Sequence, residues 1–242
     1  MSIRSIFDHL RLVLYLILTI LTLVVAFFPE GWLCYYYLTN EPDIVQCLLA
    51  PFYLFIMYCV SVLFFGVFHS QVVLRATLPY RINPGIYPHS SIGGRQVAIR
   101  LTADGIFKSM LKVFTFIPLV YEAIIFPKLM RLYGFKVGKN VWIGKQTWID
   151  CALVEIGDNS VIGYNTVIGG HSNEGGKIII SPTTIGKNCR IDEYCIIAPG
   201  VKMGDNNILE AVSGIIKEGI ISPNGVWAGQ PAKLLRTRDG FE

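Results

Sequence analysis

Four histidines, His9, His69, His89 and His171, are the side chains best suited to proton transfer near neutral pH. His9 and His69 adjoin long apolar runs, and His89 lies in a proline-rich loop where contact with an acceptor is the role it suggests. His171 stands apart. It sits in Gly169-Gly170-His171-Ser172-Asn173-Glu174-Gly175-Gly176, a segment that interrupts a regular repeat. Interruptions of a regular scaffold are where functional residues concentrate, so His171 is the candidate general base. Such a base needs a group to orient its second nitrogen. Glu174 and Asn173 are nearest in sequence, and Glu193 is a further candidate in space. The six cysteines form no C-x-x-C pair; Cys189 and Cys195 fill small-residue positions of the repeat and read as packing residues. No G-x-x-x-x-G-K-[ST] loop is present, and no metal site is expected.

The elements that must hold His171 follow from a six-residue period. Hexads begin at Val137, Ile143 and Ile149 and, after one extra residue, at Ile156, Ile162 and Ile168. After the irregular segment they resume at Ile179 and run through Ile185, Ile191, Ile197, Met203, Leu209, Ile215, Ile221 and Trp227, fifteen in all. The second position is usually small or acidic, as in Gly138, Gly144, Asp150, Gly157 and Gly163. The fifth is usually small, as in Ser160, Thr166, Cys189 and Ser213. A six-residue aliphatic period fits neither a helix nor a flat strand; it predicts a triangular parallel β-helix with one strand and one corner per hexad. Three hexads close a turn, giving about five coils. Glycine is expected to supply the corner dihedrals.

The rest of the chain has a different solvent. Of 242 residues, 52% are hydrophobic and only 16% charged, with a mean hydropathy of +0.50. The net charge of +4 is too small to imply nucleic-acid binding. Residues 136–242 carry eleven basic and eleven acidic side chains, so the excess lies in residues 1–135. Residues 12–28 and 44–68 contain no charge and have the lengths of spanning helices. The segment between them, 29–43, holds Glu30, Glu41 and Asp43 but no Lys or Arg, while all ten basic residues of this part lie in the other flanks. The positive-inside rule then puts both termini in the cytoplasm, with Trp32, Tyr35, Tyr36 and Tyr37 as an aromatic cluster at the outer interface. Pro79, Pro84, Gly85 and Pro88 mark a loop. Residues 106–114 are amphipathic, with Phe107, Met110, Leu111 and Phe114 opposite Lys108 and Lys112. Residues 116–126 are apolar apart from Glu122, and these segments are expected to lie in the interface. The expected organisation is a two-span hairpin (1–71), a membrane-proximal loop with amphipathic helices (72–135), the β-helix domain (136–236) and a short tail (237–242).

The hexads, followed by Trp227-Ala228-Gly229-Gln230-Pro231-Ala232-Lys233, resemble the hexapeptide-repeat acyltransferases over about residues 135–236. The stretch from Gly85-Ile86-Tyr87-Pro88 to Gly134 is similar to the membrane-bound β-helix domains that end some nonribosomal peptide synthetases. The first resemblance implies an all-β, left-handed parallel β-helix, a homotrimer, and transfer of an acyl, typically acetyl, group from acyl-CoA to a hydroxyl or amine. His171 is the position that inherits the role of the base. The γ-class carbonic anhydrases share the fold but need three histidines, and this domain has one. A noncatalytic membrane-tethered scaffold is the alternative; it would need neither His171 nor the Trp-x-Gly-x-Pro-Ala-Lys ending. Location points to a lipid, a lipid-linked sugar or another membrane-delivered acceptor. Counting three hexads per coil stacks His171 with Tyr194, Val212 and Gln230. The arm of acyl-CoA is thus expected along Tyr194, Val212 and Ser213, with its phosphates near Gly229, Gln230, Lys233 and Arg236.

Overall fold

The computed structural model describes residues 3–74, 76, 82–111, 120–132 and 134–238. Contacts divide the chain into two units: Met1–Tyr80 with Ile106–Phe114, and Arg81–Gly105 with Thr115–Glu242. Residues 72–80 and 106–114 group with the first unit, and 81–105 and 115–135 with the second.

In the first unit, α1 (Ile3–Thr39) and α2 (Ile44–Phe68) form an antiparallel hairpin. Both contain stretches long and apolar enough to cross a membrane, His9–Thr39 and Ile44–Phe68. The 29–43 connector expected from the sequence is mostly helix, since α1 continues past Pro29 to Thr39. Pro29 removes one backbone donor, which an apolar helix tolerates, and Trp32 stacks on Tyr36 one turn later at 6.1 Å. The turn is confined to residues 40–43. Asp43 then caps α2: its carboxylate accepts from Gln46 N at 2.7 Å while the Gln46 side chain accepts from Asp43 N. Where the two helices meet, several buried residues are small or polar, beside the larger Tyr15 and Phe65. Thr22 and Ala26 of α1 and Ser61, Val62 and Gly66 of α2 are buried, and Thr19 Oγ1 meets His69 Nε2 at 3.2 Å. Their outward faces are apolar and exposed. A methyl group added to Gly66 would lie 2.3 Å from the Phe107 ring, so Gly66 is the notch that seats this aromatic side chain.

The second unit is a parallel β-helix. Its short strands stack in three sheets. The aligned residues are Val137, Ile156, Ile185, Met203 and Ile221 in the first, Ile143, Ile162, Ile191, Leu209 and Trp227 in the second, and Ile149, Ile168, Ile197 and Ile215 in the third. All but Trp227 are buried, so each coil stacks its aliphatic residues on the next. The fourteen strands make four full turns and two sides of a fifth. The expected fifteenth hexad, Ile179, lies instead in an antiparallel hairpin inserted between Ile168 and Ile185. A closing strand, Lys233–Thr237, runs antiparallel to Gly225–Ala228.

The corners also differ from expectation. The left-handed backbone dihedral occurs at the fourth hexad position, not the second: Asn140, Asn159, Asn188, Asn206 and Asn224 all have φ of 53–62°. Asparagine adopts this conformation more readily than most residues, and here its amides also hydrogen-bond from coil to coil, as from Asn206 Nδ2 to Asn224 Oδ1 at 2.9 Å. The second-position glycines serve close approach. A Cβ on Gly163 would sit 2.5 Å from the Asp192 carbonyl carbon, and one on Gly157 2.6 Å from that of Gly186.

Two further segments flank the solenoid. Helix α3 (Ile92–Leu111) starts well before the amphipathic stretch the sequence suggested, and the expected Pro79–Pro88 loop contains a strand, Gly85–Pro88. Of the apolar run 116–126, residues 120–126 are described; 112–119, with Phe114 and Pro118, lie outside. A π-helical turn (Tyr121–Ile125) leads into α4 (Phe126–Leu132). This turn explains the charge in the apolar run. Glu122 is fully buried, and its Oε2 accepts from Trp142 Nε1 at 3.0 Å and Tyr164 OH at 3.1 Å, fastening the segment to the first two coils.

Candidate active site

The break in the hexad rhythm is a β-hairpin. Strands His171–Glu174 and Lys177–Ile180 pair in register around Gly175-Gly176, whose φ values of 52° and 73° are those of a tight two-residue turn. Strand Gly85–Pro88 adds to the far side, giving a three-stranded sheet with His171–Glu174 at its edge. Val97 of α3 packs with Leu153, Ile178 and Ile180 beneath this sheet. His171 thus sits at the root of a hairpin held by residues outside the repeat.

The imidazole is held from the coil below. Asp150, side chain 7% exposed, brings Oδ2 to 2.6 Å from His171 Nδ1. The same oxygen accepts from Gly170 N at 2.8 Å and His171 N at 3.3 Å. Three donors on one buried oxygen fix the carboxylate, and the carboxylate fixes the ring. Nδ1 carries its proton toward Asp150, so Nε2 is the basic nitrogen. The His171 side chain is 22% exposed, and Nε2 makes no hydrogen bond among the described residues. A base with an oriented ring and a free lone pair at a solvent-reachable position can accept a proton from a hydroxyl or amine.

The side chain that meets His171 Nδ1 is therefore Asp150, and none of the three residues expected from the sequence. Ser172 Oγ donates to Glu174 at 2.8 Å and Lys217 Nζ pairs with Glu174, which engages that carboxylate elsewhere. Glu193 lies on a different edge, and Asn173 is exposed two residues along the strand. A signal for Asp150 was present in the hexads. Ile149 and Ile168 stack, so Asp150 lies directly under the residue pair that leads into His171. An acidic second position beneath the interruption was the clue.

The coil count for the residues expected along the donor also shifts. Ile168 stacks on Ile197 and Ile215, not on Ile191, because Ile179 belongs to the hairpin. His171 therefore lies on the edge between the third and first sheets, beneath Gly200 and Glu218. Tyr194, Val212 and Gln230 line the edge between the second and third sheets. There the expected residues do come together. Gln230 Nε2 donates to Val212 O at 3.1 Å, Ser213 Oγ accepts from Gly229 N at 3.1 Å, and Lys233 pairs in register with Ala228. Arg236 stands 4.0 Å from Glu210. Tyr194 and Val212 have φ of 57°, a conformation that most other corners give to asparagine and two give to Gln146 and Glu218, and are 60% and 62% exposed. A β-branched residue in this conformation is strained, and such strain clusters at functional surfaces. Among the described residues, no group of three or more His, Cys, Asp or Glu could hold a metal ion.

Comparison with known proteins places this architecture. Residues 182–217 match the family model "Bacterial transferase hexapeptide (six repeats)", and 134–170 match "Hexapeptide repeat of succinyl-transferase". The chain is 35% identical over 116 residues to galactoside O-acetyltransferase of Escherichia coli, covering 42% of this chain and 56% of that protein. It spans, therefore, little more than half of that relative. It is 31% identical over 135 residues to WcaF of Escherichia coli, a protein assigned to colanic acid biosynthesis as an acetyltransferase, covering 46% of this chain and 73% of that one. A solved galactoside acetyltransferase in complex with coenzyme A aligns at 27% identity with a TM-score of 0.38, over 46% of this chain and 69% of that one.

Proposed function

Because this chain belongs to the hexapeptide-repeat transferase family, we propose that it is a membrane-bound acyltransferase moving an acyl group, acetyl in the simplest case, from acyl-CoA to a hydroxyl or amine. The observation that carries the reading is the Asp150–His171 pair at 2.6 Å, placed at the root of the hairpin that interrupts the repeat. His171 Nε2 takes the acceptor proton as the acceptor oxygen or nitrogen attacks the thioester carbonyl. The carbon–sulfur bond then breaks, and the imidazolium returns its proton to the leaving thiolate. Asp150 holds the ring and stabilises its transient charge.

The donor residues and the base occupy different edges of one solenoid. A site that unites them takes Tyr194, Val212 and Gln230 from one protomer and His171 from another, which supports a homotrimer. The outward row Trp148, Val167 and Ile196 on the third sheet is apolar and exposed, as a surface between protomers requires. Both helices of the hairpin have the length and hydropathy to span a bilayer, and the distribution of Lys and Arg favours a cytoplasmic β-helix. An acceptor carried in or on the membrane accounts for the anchor.

The test is release of free coenzyme A from acetyl-CoA by the full chain in detergent, with and without extracts of membrane lipid and lipid-linked glycan. Acceptor-dependent release that His171→Ala lowers by about 10²–10⁴-fold supports the assignment. Release unaffected by the substitution would transfer the role of base to another group, and binding of the extracts without any turnover would favour the scaffold.

A further inference from the structure

We propose that Asn173 contacts the acceptor and sets which of its groups is acylated, by hydrogen-bonding a second polar group of the same molecule. The inference rests on His171 acting as the base. The register pairs His171 with Ile180 and Gly85, and Asn173 with Ile178 and Tyr87. Directly paired residues share a face, so His171 and Asn173 project to the same side of the three-stranded sheet. The intervening residue, Ser172, and Glu174 belong to the opposite side, where Ser172 donates to Glu174 and Lys217 pairs with it. The hairpin thus keeps its ion pair on one face, and a base with a single amide on the other.

That amide is uncommitted. Asn173 is exposed, it lies on the edge strand, and its side chain makes no hydrogen bond among the described residues. Two residues along a strand place it about 7 Å from His171. Its carbonyl and amino groups can accept from a hydroxyl or donate to one. Ile178 and Ile180, paired with the two polar residues, are buried with Val97 and Leu153, so the core that borders these polar groups is apolar. The complementary acceptor has two polar groups separated by a compact carbon framework, one at His171 Nε2 and one at Asn173. A hydroxyl across a six-membered ring from the reacting hydroxyl meets this description, and a simple monofunctional alcohol does not.

Two small probes read this directly: cyclohexanol and cyclohexane-1,4-diol, each offered with acetyl-CoA to the full chain in detergent. The wild type is expected to favour the diol in kcat/KM by roughly three- to tenfold beyond the factor of two for its two hydroxyls, the range of one neutral hydrogen bond. Asn173→Ala should abolish that preference while leaving cyclohexanol turnover and the KM for acetyl-CoA unchanged. Asn173→Gln, which restores an amide, should recover part of it. A preference that persists in Asn173→Ala overturns the proposal while leaving the transferase reading intact. A uniform loss with both alcohols assigns Asn173 a structural role and also overturns it. No acetylation of either probe by the wild type counts against this acceptor site, whereas His171-dependent turnover of membrane extracts would show that transfer itself stands.

Discussion

Replacing Asp150 by Asn tests the site at its most buried point. The substitution is nearly isosteric. An amide oxygen can still accept from Gly170 N, 2.8 Å away, and from His171 Nδ1, so the hairpin root should keep its geometry. What disappears is the charge opposite the imidazolium. A hydrogen bond to a charged group contributes about 1.5–3 kcal/mol, and each 1.4 kcal/mol is tenfold in rate, so kcat should fall roughly 10- to 150-fold. His171→Ala should cost more, about 10²–10⁴-fold. Because the carboxylate acts only through the ring, the double variant should be no slower than His171→Ala alone. Asp150→Ala is a different perturbation. It leaves the backbone donors of Gly170 and His171 without their buried acceptor, costing about 1–3 kcal/mol for each left unsatisfied, and should lower the melting temperature as well as kcat. Coenzyme A release followed with a thiol reagent, together with thermal unfolding, separates these effects. A well-folded Asp150→Asn variant with wild-type kcat, or single-variant losses that multiply in the double variant, would refute the dyad.

Other consequences follow from the same geometry. Gly163→Ala places a methyl group 2.5 Å from the backbone of the next coil and should destabilise the solenoid severely, while Gly175→Ala at the hairpin turn meets open space and should cost only the strain of its φ of 52°, about 1 kcal/mol; comparing melting temperatures checks both. Val212→Asn relieves a β-branched residue at φ 57°, so it should raise the melting temperature while raising the KM for acetyl-CoA if this edge receives the donor's arm. Burial pushes the Cys189 and Cys195 thiols above their ordinary value, so at pH 7 a maleimide should label the exposed Cys34 and Cys47 and leave Cys151, Cys189 and Cys195 unmodified until the chain unfolds; mapping of the labelled peptides decides it.

Local pattern determined a great deal here. A six-residue aliphatic period has one three-dimensional solution, because only a coil of short strands returns the same side chain to the interior every six residues; hence the β-helix, its limits near residue 136, and His171 as the residue at its interruption were legible. Uncharged runs of spanning length were legible for the same reason, since hydropathy is a sum over neighbours along the chain. The tertiary structure decided what depends on how coils are counted and on what lies across them. Ile179 fits the period, yet its backbone bonds go to a hairpin partner, and that one strand moves His171 to another edge from Tyr194, Val212 and Gln230. Corner glycines look alike in sequence whether they are needed for dihedral freedom or for close approach; only the packing of one coil on the next shows that approach is the reason and that Asn holds the strained corners. Asp150 is 21 residues from His171 in the chain and 2.6 Å away in space, because one turn of the solenoid returns it beneath the hairpin. Sequence proximity favoured Glu174 and Asn173 as orienters; the solenoid's stacking, which brings residues together a full turn apart, selected Asp150 and left Asn173 free.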